Sequence, residues 1–449
     1  MSLLTTLSKA FRNEPSHKPV TEVSNNRSTA PEKSVTPIAA ESYAQQVFLA
    51  RQPIFDRDLN LFGYELLYRD GNSDKANVSD DNIATAQLFT NALVEIGLPD
   101  LVGDRKAFVN LGPKLTFEEL PFTEHKDCLV LEILETIKID ASLLNAIKRM
   151  KEQGYSVALD DVVMRPEVEL LLPFVDIVKL DLPLIPMEEL SQQVRMIRNQ
   201  TSAKILVEKI ESPDVFRHCF DLGCDYFQGY FFAKPSIISS NRVPESSLTV
   251  LQLISELQNP NVSVSEIERL IKYDASLSYK LLRYINSAMT GVSQKITSVR
   301  QAVTLLGLNR IRVVATLLGL AAQSNKPHEL LITALVRART CEVIAQRQRM
   351  QDPQSGFVVG LFSLLDAMFD QPLDELIGKL PLTENITTAI LNREGDLGQI
   401  LQAVCCFERG DWSTLETTAE NAASMRQSYL EAIRWTSILQ PSLFFEKSN

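Results

Sequence analysis

The chain has 449 residues, a formal net charge of −11 and a hydrophobic share of 45%. This composition is typical of a soluble globular protein, and the length exceeds what one hydrophobic core usually organises, so we expect two domains and an appended tail. The acidic balance argues against a DNA-binding protein, because neutralising phosphates requires a basic face. A small anionic ligand bound by a few local cations remains compatible with it.

The sequence contains no candidate membrane segment. Its longest continuous apolar run, residues 313–322, is far too short to cross a bilayer, and the first residues lack the apolar core of a signal peptide. None of the six cysteines forms a CxxC pair or has zinc-finger spacing. We therefore expect a cytoplasmic protein with free thiols and no membrane insertion.

Residues 1–45 are rich in Ser, Thr, Pro and Asn and have little that could fill a core, which predicts a disordered tail. Residues 46–238 alternate short apolar runs with amphipathic stretches. The runs are "VFLARQPIF", "LFGYELLYR", "KAFVNLG", "CLVLEIL", "SVALDD", "VDIVKLD", "AKILVEKI" and "CDYFQGYFF". This alternation predicts a TIM-like α/β barrel, that is, a (β/α) barrel. The turn signal "DRDLN" between the first two runs predicts a hairpin, so one strand should be antiparallel.

The stretch "DASLLNAIKRMKEQG" is typical of the helices expected between these strands. Leu143, Ile147 and Met150 share one face, Ser142 is a candidate N-cap and Gly154 a candidate end. From residue 245 to 449 the apolar spacing is three or four residues throughout, which predicts a separate all-helical domain. The proline-bounded segment "KPSIISSNRVPESS" lies between the two domains.

Polar residues end the predicted strands of the barrel. Because the carboxyl ends of parallel strands open on one face, these side chains should converge on one pocket. They are Glu65, Asn110, Glu132, Asp160, Asp161, Lys179, Glu208 and Gln228.

Crowded carboxylates without histidine or cysteine suit hard cations such as Mg²⁺ or Mn²⁺ rather than zinc. With two ions, an aspartate pair such as Asp160 and Asp161 would supply a bridging ligand and a ligand of the second ion. Lys179 would balance charge or orient a metal-bound water. Two-metal sites typically hydrolyse phosphate esters, so the pattern predicts a phosphodiesterase-like site but not its substrate.

Several motifs in the right order resemble the EAL family of cyclic di-GMP phosphodiesterases. "YELLYR" is similar to the ExLxR signature, "FVNL" supplies an asparagine, and "LEILE" is similar to the LExTE segment. The motifs "ALDD", "VKLD", "VEKIES" and "LGCDYFQGYFFAKP" follow. The resemblance covers about 190 residues, and it implies hydrolysis of cyclic di-GMP to the linear dinucleotide pGpG by two Mg²⁺ or Mn²⁺ ions, which would favour motility over biofilm formation.

Residue roles follow from the same resemblance. Lys179 would position the nucleophilic water, and Glu208 would be a metal ligand or general base. The implied metal ligands are Glu65, Asn110, Glu132, Asp160 and Asp161. Gln52, Arg69 and Gln228 would contact substrate or metal-site water, and Glu135 and Glu211 would support the site.

The loop after the aspartate pair departs from the family pattern. Residues 162–166 read "VVMRP", where active members usually have a glycine-rich loop that orders the second metal and is linked to dimerisation. Two functions therefore stay open: an active phosphodiesterase, or a catalytically degenerate cyclic di-GMP receptor or scaffold. A third, purely structural interpretation, a barrel that binds no nucleotide, requires the carboxylate cluster to be accidental.

The second domain resembles HDOD domains, through "IKYDASLSYKLLRYINSA" and "KITSVRQAVTLLGLNRIRVVATLLGLA". HDOD domains are relatives of HD phosphohydrolases without the metal-binding His-Asp pair. Of the four histidines only His328 falls in this domain, so no histidine metal centre is expected there. The resemblance implies a regulatory module that binds an unknown protein partner, and EAL domains often form homodimers.

Overall fold

The computed structural model describes residues 47–70, 97–111, 126–134, 137, 139–233, 245–258, 261–273, 275–286, 296–321, 326–415 and 422–444. These residues belong to one compact unit. The predicted tail, residues 1–45, and the segment between the two domains, residues 234–244, lie outside the described residues. Across the described ranges, no helix is both long enough and apolar enough to span a bilayer.

Eight strands close into a barrel in sequence order. Their bounds are β1 (Val47–Phe55), β2 (Leu61–Asp70), β3 (Lys106–Leu111), β4 (Leu129–Ile133), β5 (Ser156–Leu159), β6 (Ile177–Asp181), β7 (Lys204–Glu208) and β8 (Tyr226–Gln228). β1 is antiparallel to both of its neighbours, and the other neighbouring strands pair in parallel. The predicted barrel with one antiparallel strand is therefore confirmed.

A tight turn joins β1 to β2, as the sequence predicts. One carboxylate oxygen of Asp56 accepts hydrogen bonds from the backbone N–H groups of Asp58 and Asn60, both at 2.9 Å. Leu59 completes the turn with a left-handed backbone, φ 58°. Such a turn joins antiparallel strands directly, whereas a parallel pair needs a longer crossover, usually a helix. β1 consequently has no crossover helix of its own.

The described helices of the barrel are α1 (Leu98–Val102), α2 (Ala141–Glu152), α3 (Pro166–Glu169), α4 (Met187–Gln200) and α5 (Pro213–Asp221). α2 buries the predicted face, including Ile147 and Met150. Its N-cap, however, is Asp140 rather than Ser142, because the Asp140 carboxylate accepts from the N–H groups of Ser142 and Leu143 at 2.9 and 3.2 Å. A carboxylate directly before the first helical residue reaches two of the unpaired N–H groups of the first turn.

Strand register determines which side chains point into the barrel. A cluster of buried apolar residues separate from the main core fills the lower interior: Ile54, Phe108, Val130, Ala158, Ile177 and Leu206. Side chains alternate along a strand, so the residue two positions further on each parallel strand also points inward. These are Asn110, Glu132, Asp160, Lys179 and Glu208. A polar layer therefore lies directly above the apolar one, toward the carboxyl ends of the parallel strands.

The described chain after the barrel is helical, as predicted, and we call residues 245–443 the helical region. Its helices are α6 (Glu245–Gln258), α7 (Val264–Tyr273), α8 (Ala275–Ile285), α9 (Val299–Leu306), α10 (Leu308–Ala321), α11 (His328–Arg347), α12 (Gln354–Phe362), α13 (Leu365–Phe369), α14 (Leu373–Gly378), α15 (Glu384–Asn392), α16 (Gly395–Arg409), α17 (Trp412–Leu415) and α18 (Ala422–Leu443).

The helical region packs against the first two strands of the barrel. Helices α16 and α18 contact β1, and α18 also contacts α1. The hydroxyl of Tyr64, on the outer face of β2, donates a hydrogen bond of 2.9 Å to the carboxylate of Glu329 in the first turn of α11. Both residues are buried. Arg434 of α18 pairs with Asp100 of α1 at 3.1 Å. The helical region thus covers the part of the barrel that lacks a crossover helix.

Candidate functional site

The Lys179 ammonium lies at the centre of the polar layer. Its Nζ is 2.5 Å from a Glu132 oxygen, 2.6 Å from Glu208, 2.8 Å from Asp160 and 3.6 Å from Glu65. The lysine is fully buried, and none of the four carboxylate residues is more than 8% exposed. Five different strands position these groups, so the convergence predicted from the strand ends is present.

Burial and crowding shift the proton affinities of these groups. Desolvation raises the pKa of Glu132 well above its usual value, and Lys179 only partly offsets it. Desolvation likewise raises the pKa of Glu208 to about 8. For Lys179, desolvation lowers the pKa, but the four surrounding carboxylates outweigh it and the net shift is strongly upward. One ammonium thus faces more negative charge than it can neutralise.

The donor set fits divalent cations. The carboxylates of Glu65, Glu132 and Glu208 offer oxygens within 4.8 Å of one another, and so do those of Asp160, Asp161 and Glu208. Glu132 Oε2 is buried and accepts no hydrogen bond from any described residue. Hard cations prefer oxygen ligands of this kind. Glu208 belongs to both groups, and the expected bridging role of an aspartate stays a prediction.

Two residues beside this cluster have unusual backbone conformations. Asp161 follows Asp160 with φ 47°, and Lys209 follows Glu208 with φ 54°. A left-handed backbone conformation is uncommon for residues other than glycine, and such residues cluster at functional sites. The turn at Lys209 brings its ammonium to 2.5 Å from the buried Asp181. Sequence analysis did not predict a role for Lys209, although it lies inside the "VEKIE" motif.

The altered loop, residues 162–166, is anchored beside the site. The Val162 N–H donates to the Lys179 carbonyl at 3.0 Å, and the Met164 N–H donates to Gln193 at 3.0 Å. The Val162 side chain is buried with the apolar core, and Pro166 begins α3. A cavity of about 170 Å³ opens here, lined mainly by apolar side chains together with Asp160, Asp161 and Arg165. The loop therefore contributes apolar side chains and one arginine to the wall next to the aspartate pair.

A hydrogen-bond chain leads from the carboxylates to the helical region. The Gln228 amide donates to Glu65 at 2.5 Å and to Gln52 at 3.1 Å. The Gln52 amide donates in turn to the carbonyl of Arg409, the last residue of α16, at 3.2 Å. Gln52 enters the mouth because β1 places it opposite Glu65 in the antiparallel register. No sequence pattern predicts the contact with Arg409.

Four other expected site residues are Asn110, Glu211, Arg69 and Glu135. Asn110 points inward beside Glu132 in the register, and its Oδ1 is buried. Glu211 is exposed. The side chain of Arg69 and the whole of Glu135 lie outside the described residues. The expected roles of these four residues, and of the other site residues, stay predictions.

The comparisons with known proteins agree with the domain order. The EAL domain family model matches residues 108–235, and the HDOD domain model matches residues 243–368. The chain is 34% identical over 397 residues to the cyclic di-GMP phosphodiesterase CdgJ of Vibrio cholerae, covering 87% of this chain and 92% of CdgJ. The chain belongs to the EAL–HDOD family.

A second relative is the uncharacterised protein YuxH of Bacillus subtilis, 32% identical over 404 residues, with 87% of this chain and 98% of YuxH covered. Among solved structures, the MucR phosphodiesterase in complex with c-di-GMP is 19% identical, with a TM-score of 0.35, covering 43% of this chain and 98% of that one. A standalone EAL protein from Vibrio cholerae O395, bound to c-di-GMP, is 22% identical, with a TM-score of 0.35 and coverage of 42% and 92%.

Proposed function

We propose that the protein hydrolyses cyclic di-GMP to linear pGpG with two Mg²⁺ or Mn²⁺ ions, lowering the second messenger and favouring motility over biofilm formation. The observation that carries the proposal is the pair of overlapping carboxylate groups that share Glu208. Kinship with CdgJ, whose name gives this substrate, supports it independently. The EAL match begins at residue 108, so the inclusion of Gln52 and Glu65 is supported by the "YELLYR" resemblance and by the strand register that places the two residues opposite each other.

The carboxylates of Glu65, Glu132, Asp160, Asp161 and Glu208, with the Asn110 carboxamide, would hold the ions. Bound there, the ions would supply an activated water and neutralise charge on the phosphodiester. Water would add to phosphorus, and the bond from phosphorus to the leaving 3′ oxygen would break.

The chain's own residues contribute charge and proton transfer. Lys179 is close enough to orient a water held among the carboxylates and stabilises their negative charge. Glu208 lies 2.6 Å from the Lys179 ammonium and belongs to both carboxylate groups, so it would act as a metal ligand or as the base that accepts a proton from the attacking water. Gln228 keeps Glu65 oriented through its 2.5 Å hydrogen bond.

The test is hydrolysis of cyclic di-GMP by the purified full-length chain with Mg²⁺ or Mn²⁺, followed by chromatographic detection of pGpG. We expect turnover that EDTA abolishes and that Glu65→Gln lowers at least a hundredfold, because the amide cannot supply an anionic ligand. Absence of pGpG, under conditions in which an active relative such as CdgJ produces it, would overturn the hydrolytic proposal.

The altered loop, residues 162–166, favours the second candidate function, a receptor that binds cyclic di-GMP without cleaving it. Val162 and Pro166 fix the backbone after Asp161 where glycines would leave it adaptable. Calorimetric binding of cyclic di-GMP without hydrolysis would support a receptor that signals through the helical region to a protein partner. We place either activity in the cytoplasm.

A further inference from the structure

We propose that Arg409, from the end of α16 in the helical region, binds the phosphodiester of cyclic di-GMP that is not being cleaved. This inference rests on the proposed function and deepens it. It assigns part of the substrate site to the helical region rather than to the barrel.

Arg409 lies at the mouth of the barrel. Its carbonyl accepts from Gln52, and Gln52 is connected through Gln228 to Glu65 by hydrogen bonds of 3.1 and 2.5 Å. Its guanidinium lies 5.1 Å from the ring centroid of Tyr230, two residues after the end of β8. The backbone of Arg409 is thus three hydrogen bonds away from a proposed metal ligand.

The surrounding structure holds Arg409 in place. Glu408, the preceding residue, forms a buried ion pair with Arg337 of α11 at 2.6 Å. Gly410 follows with φ 68°, and a Cβ there would lie 2.9 Å from a side-chain carbon of Leu67 on β2. The end of α16 therefore fits closely against the mouth of the barrel. A cation that is held in position before the ligand arrives loses less conformational entropy on binding.

The charge of Arg409 is available to a ligand. The residue is exposed, and its guanidinium has no carboxylate partner among the described residues. Several other described arginines of the helical region are paired: Arg300 with Glu268, Arg337 with Glu408, Arg339 with Glu342, and Arg434 with Asp100. An arginine held against an aromatic ring beside a phosphate-cleaving site matches the chemistry that recognises phosphate through a planar pair of N–H donors.

The substrate carries a second anionic group that a cation at the mouth could bind. Cyclic di-GMP has two phosphodiester groups, and only one can lie on the carboxylate-bound ions during cleavage. The second phosphodiester, which is also negatively charged, would then lie away from the ions, at the edge of the barrel mouth, which we call the rim. The acidic side chains of the mouth would repel that charge unless a rim cation such as Arg409 is present.

The experiment compares Arg409→Ala, Arg409→Lys and the control Arg300→Ala in the full-length chain. Arg300 is exposed and paired with Glu268 on the helical region. Two substrates are used: cyclic di-GMP, and bis(p-nitrophenyl) phosphate, which has a single phosphodiester and cannot reach the rim. Binding of cyclic di-GMP is measured separately by calorimetry with Ca²⁺.

For Arg409→Ala we expect KM and Kd for cyclic di-GMP to rise about tenfold, the size of one lost hydrogen bond to a charged group. The loss in kcat/KM for cyclic di-GMP should exceed that for the small ester at least fivefold. Arg409→Lys should recover part of the affinity, and Arg300→Ala should match the wild type.

Equal losses on both substrates would mean that Arg409 only holds the site together, and wild-type KM and Kd in Arg409→Ala would mean that it makes no contact. Either result overturns this inference while the proposed function stands. If the wild type binds but does not cleave, the Kd comparison still decides the role of Arg409. A wild-type protein that neither binds nor cleaves cyclic di-GMP rejects both proposals.

Discussion

Replacing Lys179 by methionine tests the electrostatics of the carboxylate cluster directly. The substitution keeps most of the side-chain volume but removes the only ammonium within 3.6 Å of Glu65, Glu132, Asp160 and Glu208 among the described residues. Removing one partner of a buried ion pair typically costs about 3–5 kcal/mol, because the remaining charge is left uncompensated. We expect Lys179→Met to lower the free energy of unfolding by that amount at pH 7 without metal.

The assay is urea unfolding followed by circular dichroism in EDTA. Lys151→Met is the matched control: Lys151 pairs with Asp176 at 2.5 Å, but the two side chains are 36% and 38% exposed. A pair this exposed contributes less than about 1 kcal/mol. If divalent ions bind the carboxylates, adding Mn²⁺ should narrow the gap between Lys179→Met and the wild type. Equal stability of the two lysine variants in EDTA would refute the reasoning.

Three further predictions, which use four substitutions, test other parts of the structure. The pKa of the buried Glu329 is raised from 4.5 to about 7, mainly by desolvation. Its folded form therefore keeps the proton that the unfolded chain loses, and wild-type stability should fall by about 3 kcal/mol as pH rises from 4.5 to 7. Glu329→Gln should lose that part of the pH dependence in urea titrations. Gly229→Ala should destabilise the barrel by about 3 kcal/mol in thermal unfolding, because its φ is 144° and a Cβ would lie 2.2 Å from the Ile210 carbonyl oxygen. Arg337→Met should cost about 3–5 kcal/mol in urea, since it leaves Glu408 charged and buried, and adding Glu408→Leu should recover at least half.

The sequence predicts the barrel well because its strands carry a strong local signal. Most residues of β4 and β6 are apolar since both faces of a parallel barrel strand are covered, and each strand has a polar residue near its carboxyl end. The hairpin of β1 and β2 has a turn signal of its own. The N-cap of α2 is not predicted correctly. Asp140 and Ser142 both have side chains that can cap a helix, and the sequence does not show that the helix begins at Ala141.

The sequence also predicts much of the site, and for a topological reason. Carboxyl ends of parallel strands meet on one face, so Glu132, Asp160 and Lys179 could be grouped from their spacing alone. The left-handed turn at Lys209 and the position of Glu208 in both carboxylate groups depend on exact register and backbone geometry. Spacing along the chain does not contain that information.

The position of the helical region follows from a gap in the barrel. In a regular barrel each parallel strand is followed by a helix that covers its outer face, but β1 turns directly back into β2. The outer face of this pair is buried, with Leu49, Tyr64 and Leu66 at 2%, 4% and 0% exposure. Helices of the helical region contact β1, and the end of α16 reaches the mouth beside Gln52. The helices that cover the barrel are thereby also placed beside the carboxylate cluster, where a hydrogen-bond chain through Gln52 and Gln228 connects the end of α16 to Glu65.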